Sequence, residues 1–138
     1  MGNKQYPQLQ LFNAVYLASL NLGYDTYDYL PADDAAYPFV YVGETFSYDE
    51  RTKGFLYGRV AQTVHIYGVQ RTPDQREGMT KLEFSSMMGD LKKEMRQIKE
   101  TANFKWRLNQ EINDQMLPDT TTNIRLFHGI IESEYTFN

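Results

Sequence analysis

The sequence predicts an α+β fold: a single domain in which a mostly antiparallel β-sheet of four to five strands packs against two α-helices. Two segments repeat apolar residues at intervals of three and four, and several shorter ones alternate them at intervals of two. Their order is helix, two or three strands, helix, two strands, which lets neighbouring strands pair antiparallel while the helices cover one face. With 138 residues, 41% of them hydrophobic, the chain holds apolar material for one core and is too short for two comfortable domains.

The first helix is expected over residues 8–22, with Pro7 in its first turn and Gly23 just past its end. Leu11, Ala14, Val15, Ala18 and Leu22 form its central stripe, and Leu9, Phe12, Tyr16 and Leu20 widen it beyond half the circumference. Only Gln10, Asn13 and Asn21 make a polar sector, so the helix is expected to be covered on more than one side. Residues 24–30 form a short strand stopped by Pro31, and residues 37–44 form a second, with Pro38 at its mouth where a missing donor is tolerated. A third strand runs over residues 59–69. The intervening residues 47–58 read as a long loop, since hairpin connections usually span about 2–5 residues and longer ones tend to be functional or mobile.

A second helix is expected over residues 74–100, opened by Thr72, Pro73 and Asp74 and carrying Phe84, Met87 or Met88, Leu91, Met95 and Ile98 on one face. Gly78 and Gly89 each weaken it by about 1 kcal/mol relative to alanine, and one of them marks a close approach or an irregular turn. Residues 104–113 alternate cleanly: Phe104, Trp106, Leu108, Gln110 and Ile112 face the core, Lys105, Arg107, Asn109, Glu111 and Asn113 face water. Residues 117–123 form a turn-rich connection into the last strand, residues 125–137. There Phe127, Gly129, Ile131, Ser133, Tyr135 and Phe137 share one side, opposite Leu126, His128, Ile130, Glu132, Glu134 and Thr136. Apolar residues persisting to position 137 mark a strand clamped in a sheet, since loose chain ends fray.

The bulk numbers narrow the function classes. A net charge of −4 gives no basic footprint for tight binding to duplex nucleic acid. The absence of cysteine removes disulfides, thiolate metal ligands and a cysteine nucleophile. No stretch has the apolar length of a membrane span, residues 1–6 lack the core of a signal peptide, and Tyr6 stands where a myristoylation motif needs Ser or Thr. No membrane partner is expected.

Chemistry is sparse. His65 and His128 each lie in a strand, where packing or surface roles outnumber catalytic ones. His128, Glu132 and Glu134 share a side, but positions i and i+4 of a strand lie roughly 13 Å apart, too far to ligate one ion through bonds of about 2 Å. No metal, cofactor or catalytic residue is therefore expected. Asp33 with Asp34, and Asp49 with Glu50, are carboxylate pairs in polar loops, where solvated charge is the default. There is no Gly-x-Ser-x-Gly elbow, and residues 54–58, Gly-Phe-Leu-Tyr-Gly, precede a strand and carry bulky side chains, unlike a phosphate-binding loop. The chain does carry 11 Tyr and 8 Phe. An alternative is thus a small module that stacks single-stranded oligonucleotides on strand aromatics, although such platforms normally sit in a basic groove.

Several segments taken in order resemble the tail-terminator, or tail-completion, proteins of long-tailed bacteriophages of Gram-positive bacteria. They are the first helix leading into Gly23-Tyr24-Asp25-Thr26-Tyr27-Asp28, the strand Tyr37-Pro38-Phe39-Val40-Tyr41-Val42-Gly43-Glu44, the strand Gln62-Thr63-Val64-His65-Ile66-Tyr67-Gly68, and the terminal Leu126-Phe127-His128-Gly129-Ile130-Ile131-Glu132. The resemblance spans nearly the whole chain and rests on strand patterns and their punctuation. It implies a non-enzymatic virion protein that caps the finished tail tube as a homo-hexameric ring, stops tube polymerisation and joins tail to head. Its implied partners are further copies of itself, the major tail tube protein, a neck or head-completion protein and the end of the tape-measure protein. DNA would pass through the lumen without specific binding, and the protein would reside at the tail-to-head junction after assembly in the host cytoplasm. Ring formation requires one patch to fit a different patch on the next copy. Phe55, Leu56 and Tyr57 are the expected subunit or tail-tube interface, against the competing reading of a hairpin tip folded back on its own sheet.

Overall fold

The computed structural model describes residues 6–52, 55–109, 112–121 and 123–138, with the backbone alone for residues 49–52 and 55–57. Helix α1 spans Pro7–Asn21, and strands β1 (Asp25–Tyr27), β2 (Phe39–Thr52) and β3 (Phe55–Val69) follow it. Helix α2 (Lys81–Arg96) then precedes β4 (Trp106–Leu108), β5 (Asn113–Asp119) and β6 (Leu126–Phe137). The six strands form one sheet in the order β1-β2-β3-β6-β4, with β5 also paired to β6. All pairings are antiparallel except that of β1 with β2. Both helices lie on one face, and a single core joins Leu11 and Val15 of α1, Phe84, Met87, Met88, Leu91 and Met95 of α2, and the inward side chains of β2, β3 and β6.

Helix α1 starts at Pro7 and stops in the conformation its sequence announces. Gly23 has φ +90°, its N–H donates to the Leu20 carbonyl and the Tyr24 N–H reaches back to Ser19, the paired bonds of a Schellman ending. The broad stripe does not translate into burial on two sides. Pro7, Leu11, Val15 and Ser19 are buried, whereas Leu17 and Leu20 remain exposed on the outward face.

Helix α2 is shorter than the expected 74–100. Its start belongs to Thr80, whose hydroxyl accepts the Glu83 N–H while the Glu83 carboxylate accepts the Thr80 N–H, so two free donors are satisfied reciprocally. Residues 70–79 instead fold back on themselves through bridges between Gln70 and Met79 and between Thr72 and Gln75. Gly78 is the close approach: a Cβ there would sit 2.6 Å from the Gln70 carbonyl group. Gly89, by contrast, faces open space inside the helix.

Two further expectations change. Residues 47–52 and 55–58, expected within a long loop, are strand instead, because β2 and β3 continue their ladder through Tyr48↔Arg59 to Thr52↔Phe55; residues 53–54 lie outside the described residues. Strand β6 reaches only as far as Gly58, where it pairs Phe137, so the tip of this ribbon projects past the third strand as a two-stranded arm. The clean alternation over 104–113 divides: β4 pairs β6 in the register Trp106↔Phe137, but β5 resumes at Asn113↔Glu132, a slip of two residues along the same edge of β6. Residues 110–111 lie outside the described residues. Strand β5 also takes in Leu117, Pro118 and Asp119, expected in a turn; Pro118 is tolerated in a strand paired on one side only. That division gives the sheet its sixth strand.

Strand β6 keeps the expected parity. Ile131, Ser133, Tyr135 and Phe137 are buried under the helices, and the Tyr135 hydroxyl donates to the Met95 carbonyl at 2.6 Å. On the other side Glu132 and Thr136 are exposed.

Candidate functional site

The expected interface residues Phe55, Leu56 and Tyr57 open β3 on the arm, opposite Thr52, Arg51 and Glu50. Their side chains lie outside the described residues. What can be placed is the base of the arm. A bulge sets Gly43 and Glu44 against Thr63 alone, between Val42↔Val64 and Thr45↔Gln62. One extra residue reverses the parity of the strand: Val40 and Val42 point to the core, yet Phe46 and Tyr48 point to the helix-free face. They stand 62% and 48% exposed with ring centroids 5.2 Å apart.

Arg59 ties this aromatic pair to the sheet. Its guanidinium lies 5.1 Å from the Tyr48 ring centroid and 3.7 Å from the Glu134 carboxylate. Glu134 accepts from the Asn109 amide in turn.

Farther along the same face, cross-strand register assembles rings that the sequence scatters. Phe39 packs on Tyr67 at 5.2 Å, Tyr67 stacks on His128 at 4.3 Å and 13°, and Tyr41 lies parallel to His65 at 5.3 Å. The two histidines meet, Nδ1 of His65 lying 3.0 Å from Nε2 of His128, while Nε2 of His65 lies 3.3 Å from the Glu44 carboxylate. A carboxylate accepts only, so neutral His65 donates its Nε2–H to Glu44 and offers a bare Nδ1 to the Nε2–H of His128.

The electrostatics favour that arrangement. Burial, and then the neighbouring His65 ring, push the His128 pKa below the ordinary histidine value against a smaller pull from Asp119. Glu44 is held below the usual carboxylate range, first by its own backbone N–H and then, against a desolvation penalty, by His65. Tyr37 and Tyr67 are pushed up, chiefly by burial, with Asp33 and Asp119 adding to the first and Asp119 and Glu44 to the second.

Chemically this is a hydrogen-bonded chain lying along a sheet face, closed at one end by a carboxylate and at the other by an aromatic stack. Both nitrogens of His65 and Nε2 of His128 are spent on these bonds rather than converging on an open point. Among the described residues, no group of three His, Asp or Glu is placed to hold a metal ion. His128 therefore pairs with His65, and the Glu134 weighed beside it pairs with Arg59 and Asn109. The alternation of the terminal strand placed His128 on the side of Glu132 and Glu134, but only the β3–β6 register, Tyr67↔His128 and His65↔Ile130, brings the two histidines together.

No protein-family model and no curated protein matches this sequence. Among solved structures, the chain is similar to a chain in the virion of a native gene transfer agent particle, at 12% sequence identity and a TM-score of 0.55. The likeness covers 96% of this chain and 99% of that one, so the two share a fold from end to end.

Proposed function

We propose that this chain is a structural virion protein of the phage type, which caps the completed tail tube as a hexameric ring, stops tube growth and forms the joint to the neck. The observation that carries the reading is the end-to-end likeness in fold to a virion chain, covering 96% of one and 99% of the other. The arm, with exposed Phe46 and Tyr48 at its base, suits insertion into a neighbouring subunit or the tube, and the exposed Leu17 and Leu20 give α1 an outward apolar surface for a second contact. A net charge of −4 suits a channel through which DNA slides, because like charge lowers the affinity of phosphates for its wall. The partners under this reading are the major tail tube protein, a neck or head-completion protein and the end of the tape-measure protein.

Electron microscopy of particles assembled without this protein tests the reading: overlong tubes and unjoined heads are expected, and tails of normal length carrying heads would overturn it. Replacing Phe55, Leu56 and Tyr57 together by Ser should preserve the circular dichroism spectrum yet abolish joining in the same assay. Unchanged joining would remove the arm from the interface. Tight, salt-dependent binding of a single-stranded oligonucleotide to the purified protein would favour the stacking module instead.

A further inference from the structure

Charge is distributed along this chain with unusual asymmetry. Residues 5–50 contain no Lys or Arg but seven acidic residues, whereas residues 92–107 contain six basic and two acidic ones. The sheet order β1-β2-β3-β6-β4 carries the first segment to one lateral rim and the second to the other. On the β1 rim Asp28, Asp33 and Asp34 are exposed; on the β4 rim Lys99, Lys105 and Arg107 are exposed. Among the described residues, none of these six takes part in an ion pair within the chain. Lys92, by contrast, is already committed to Asp114 at 3.2 Å.

The two rims also match in shape. Tyr29 and Leu30 protrude between the aspartates, 60% and 59% exposed. The opposite rim has a groove of about 340 Å³ bordered by Lys105, Trp106, Arg107 and Thr136. Neither rim can pair with its own copy, because like charges would face each other, whereas the acidic rim of one molecule complements the basic rim of another.

We propose that copies of this chain dock rim to rim, Asp28, Asp33 and Asp34 of one molecule against Lys99, Lys105 and Arg107 of the next, with Tyr29 and Leu30 seated beside Trp106. This deepens and rests on the ring reading: the contact is heterologous, so repetition with a closing rotation generates a ring and not a two-fold dimer. The charges suppress the wrong, self-facing pairings, and the apolar pair supplies area.

Two variants test it by native mass spectrometry and sedimentation at low ionic strength. Lys99→Glu with Lys105→Glu and Arg107→Glu makes both rims acidic; Asp28→Lys with Asp33→Lys and Asp34→Lys makes both basic. Each alone should associate more weakly than the original by roughly tenfold or more, their mixture should assemble, and about 1 M salt, which cuts the screening length to about 3 Å, should dissolve the mixed assemblies. Assembly of the mixture cannot come from misfolded protein, so it separates lost charge from lost fold. Rings that form equally in high salt and in both variants overturn the rim pairing while leaving the ring intact. A mixture that stays monomeric overturns the rim pairing too, and the ring reading then stands or falls on the electron microscopy of tails.

Discussion

Gln62 shows what a single side chain settles. Alternation along β3 points it into the core, where it is 1% exposed, an unusual place for a primary amide. Its Nε2 lies 2.9–3.2 Å from the carbonyls of Gly43, Glu44 and Thr63, and its Oε1 accepts the Thr45 hydroxyl at 2.8 Å. The two N–H groups of the amide thus serve the carbonyls clustered at the bulge. Gln62→Leu keeps the volume and strands those carbonyls, so it should lower unfolding free energy by about 2–3 kcal/mol in urea titration, each buried unpaired group costing about 1–3 kcal/mol. An unchanged midpoint would mean the bulge does not depend on the amide. The histidine pair makes a second prediction. Because the folded His128 sits below the unfolded value of 6.5, the unfolded chain binds its proton first as pH falls. Its contribution is therefore complete above that value and is lost as pH drops towards the depressed folded pKa. Melting temperature should fall over that window, and His128→Phe should flatten the fall; a slope identical in the variant would assign it to other groups. Strand parity was legible at His128, which shares a side of the terminal strand with Glu132 and Glu134. Register and the bulge were not, since each depends on pairing between segments about 20 to 60 residues apart, which no local pattern encodes.

At the scale of elements, the sequence announced what was built from local rules and misjudged what neighbours decide. The ends of α1 were legible because Pro7 and Gly23 act through their own backbone. The apolar face of α2 was legible too, from Phe84 to Met95, but its start was not: the capping box at Thr80 competes with the Pro73-Asp74 signal, and the fold-back of residues 70–79 against Gln70 decides between them. The two glycines once grouped as helix weaknesses now separate. Gly89→Ala should raise stability by about 0.5–1 kcal/mol, because the site is helical and open. Gly78→Ala should lower it by about 1–3 kcal/mol or more, because its Cβ would meet backbone that cannot swing aside. Thermal denaturation of the pair checks both signs at once, and equal shifts would contradict the placement of residue 78. The arm was misread as a loop for a comparable reason: Asp49, Glu50, Lys53 and Gly54 look like punctuation, yet the ladder with β3 carries the strand through Asp49 and Glu50 as far as Thr52.

For the whole molecule, the layered α+β class followed from the alternation of periods, whereas the sheet order could not, because it depends on which distant strands meet. Strand β6 touches β3 on one side and both β4 and β5 on the other. Deleting residues 134–138 removes Tyr135 and Phe137 from the core and the whole β4 pairing, so the domain should unfold and not merely shorten. A truncated protein with unaltered thermal melting would refute that. The same placement of β6 also governs time. Helix α2 and the β2–β3 ribbon form from contacts close in sequence, but the sheet closes only when Gly58 finds Phe137 and Val69 finds Leu126. Closing such distant loops is slow, on the millisecond-to-second scale of non-local topologies. Until it happens, the apolar side of β3 has no strand beyond it, so the protein's window for misassociation opens and ends with the docking of β6.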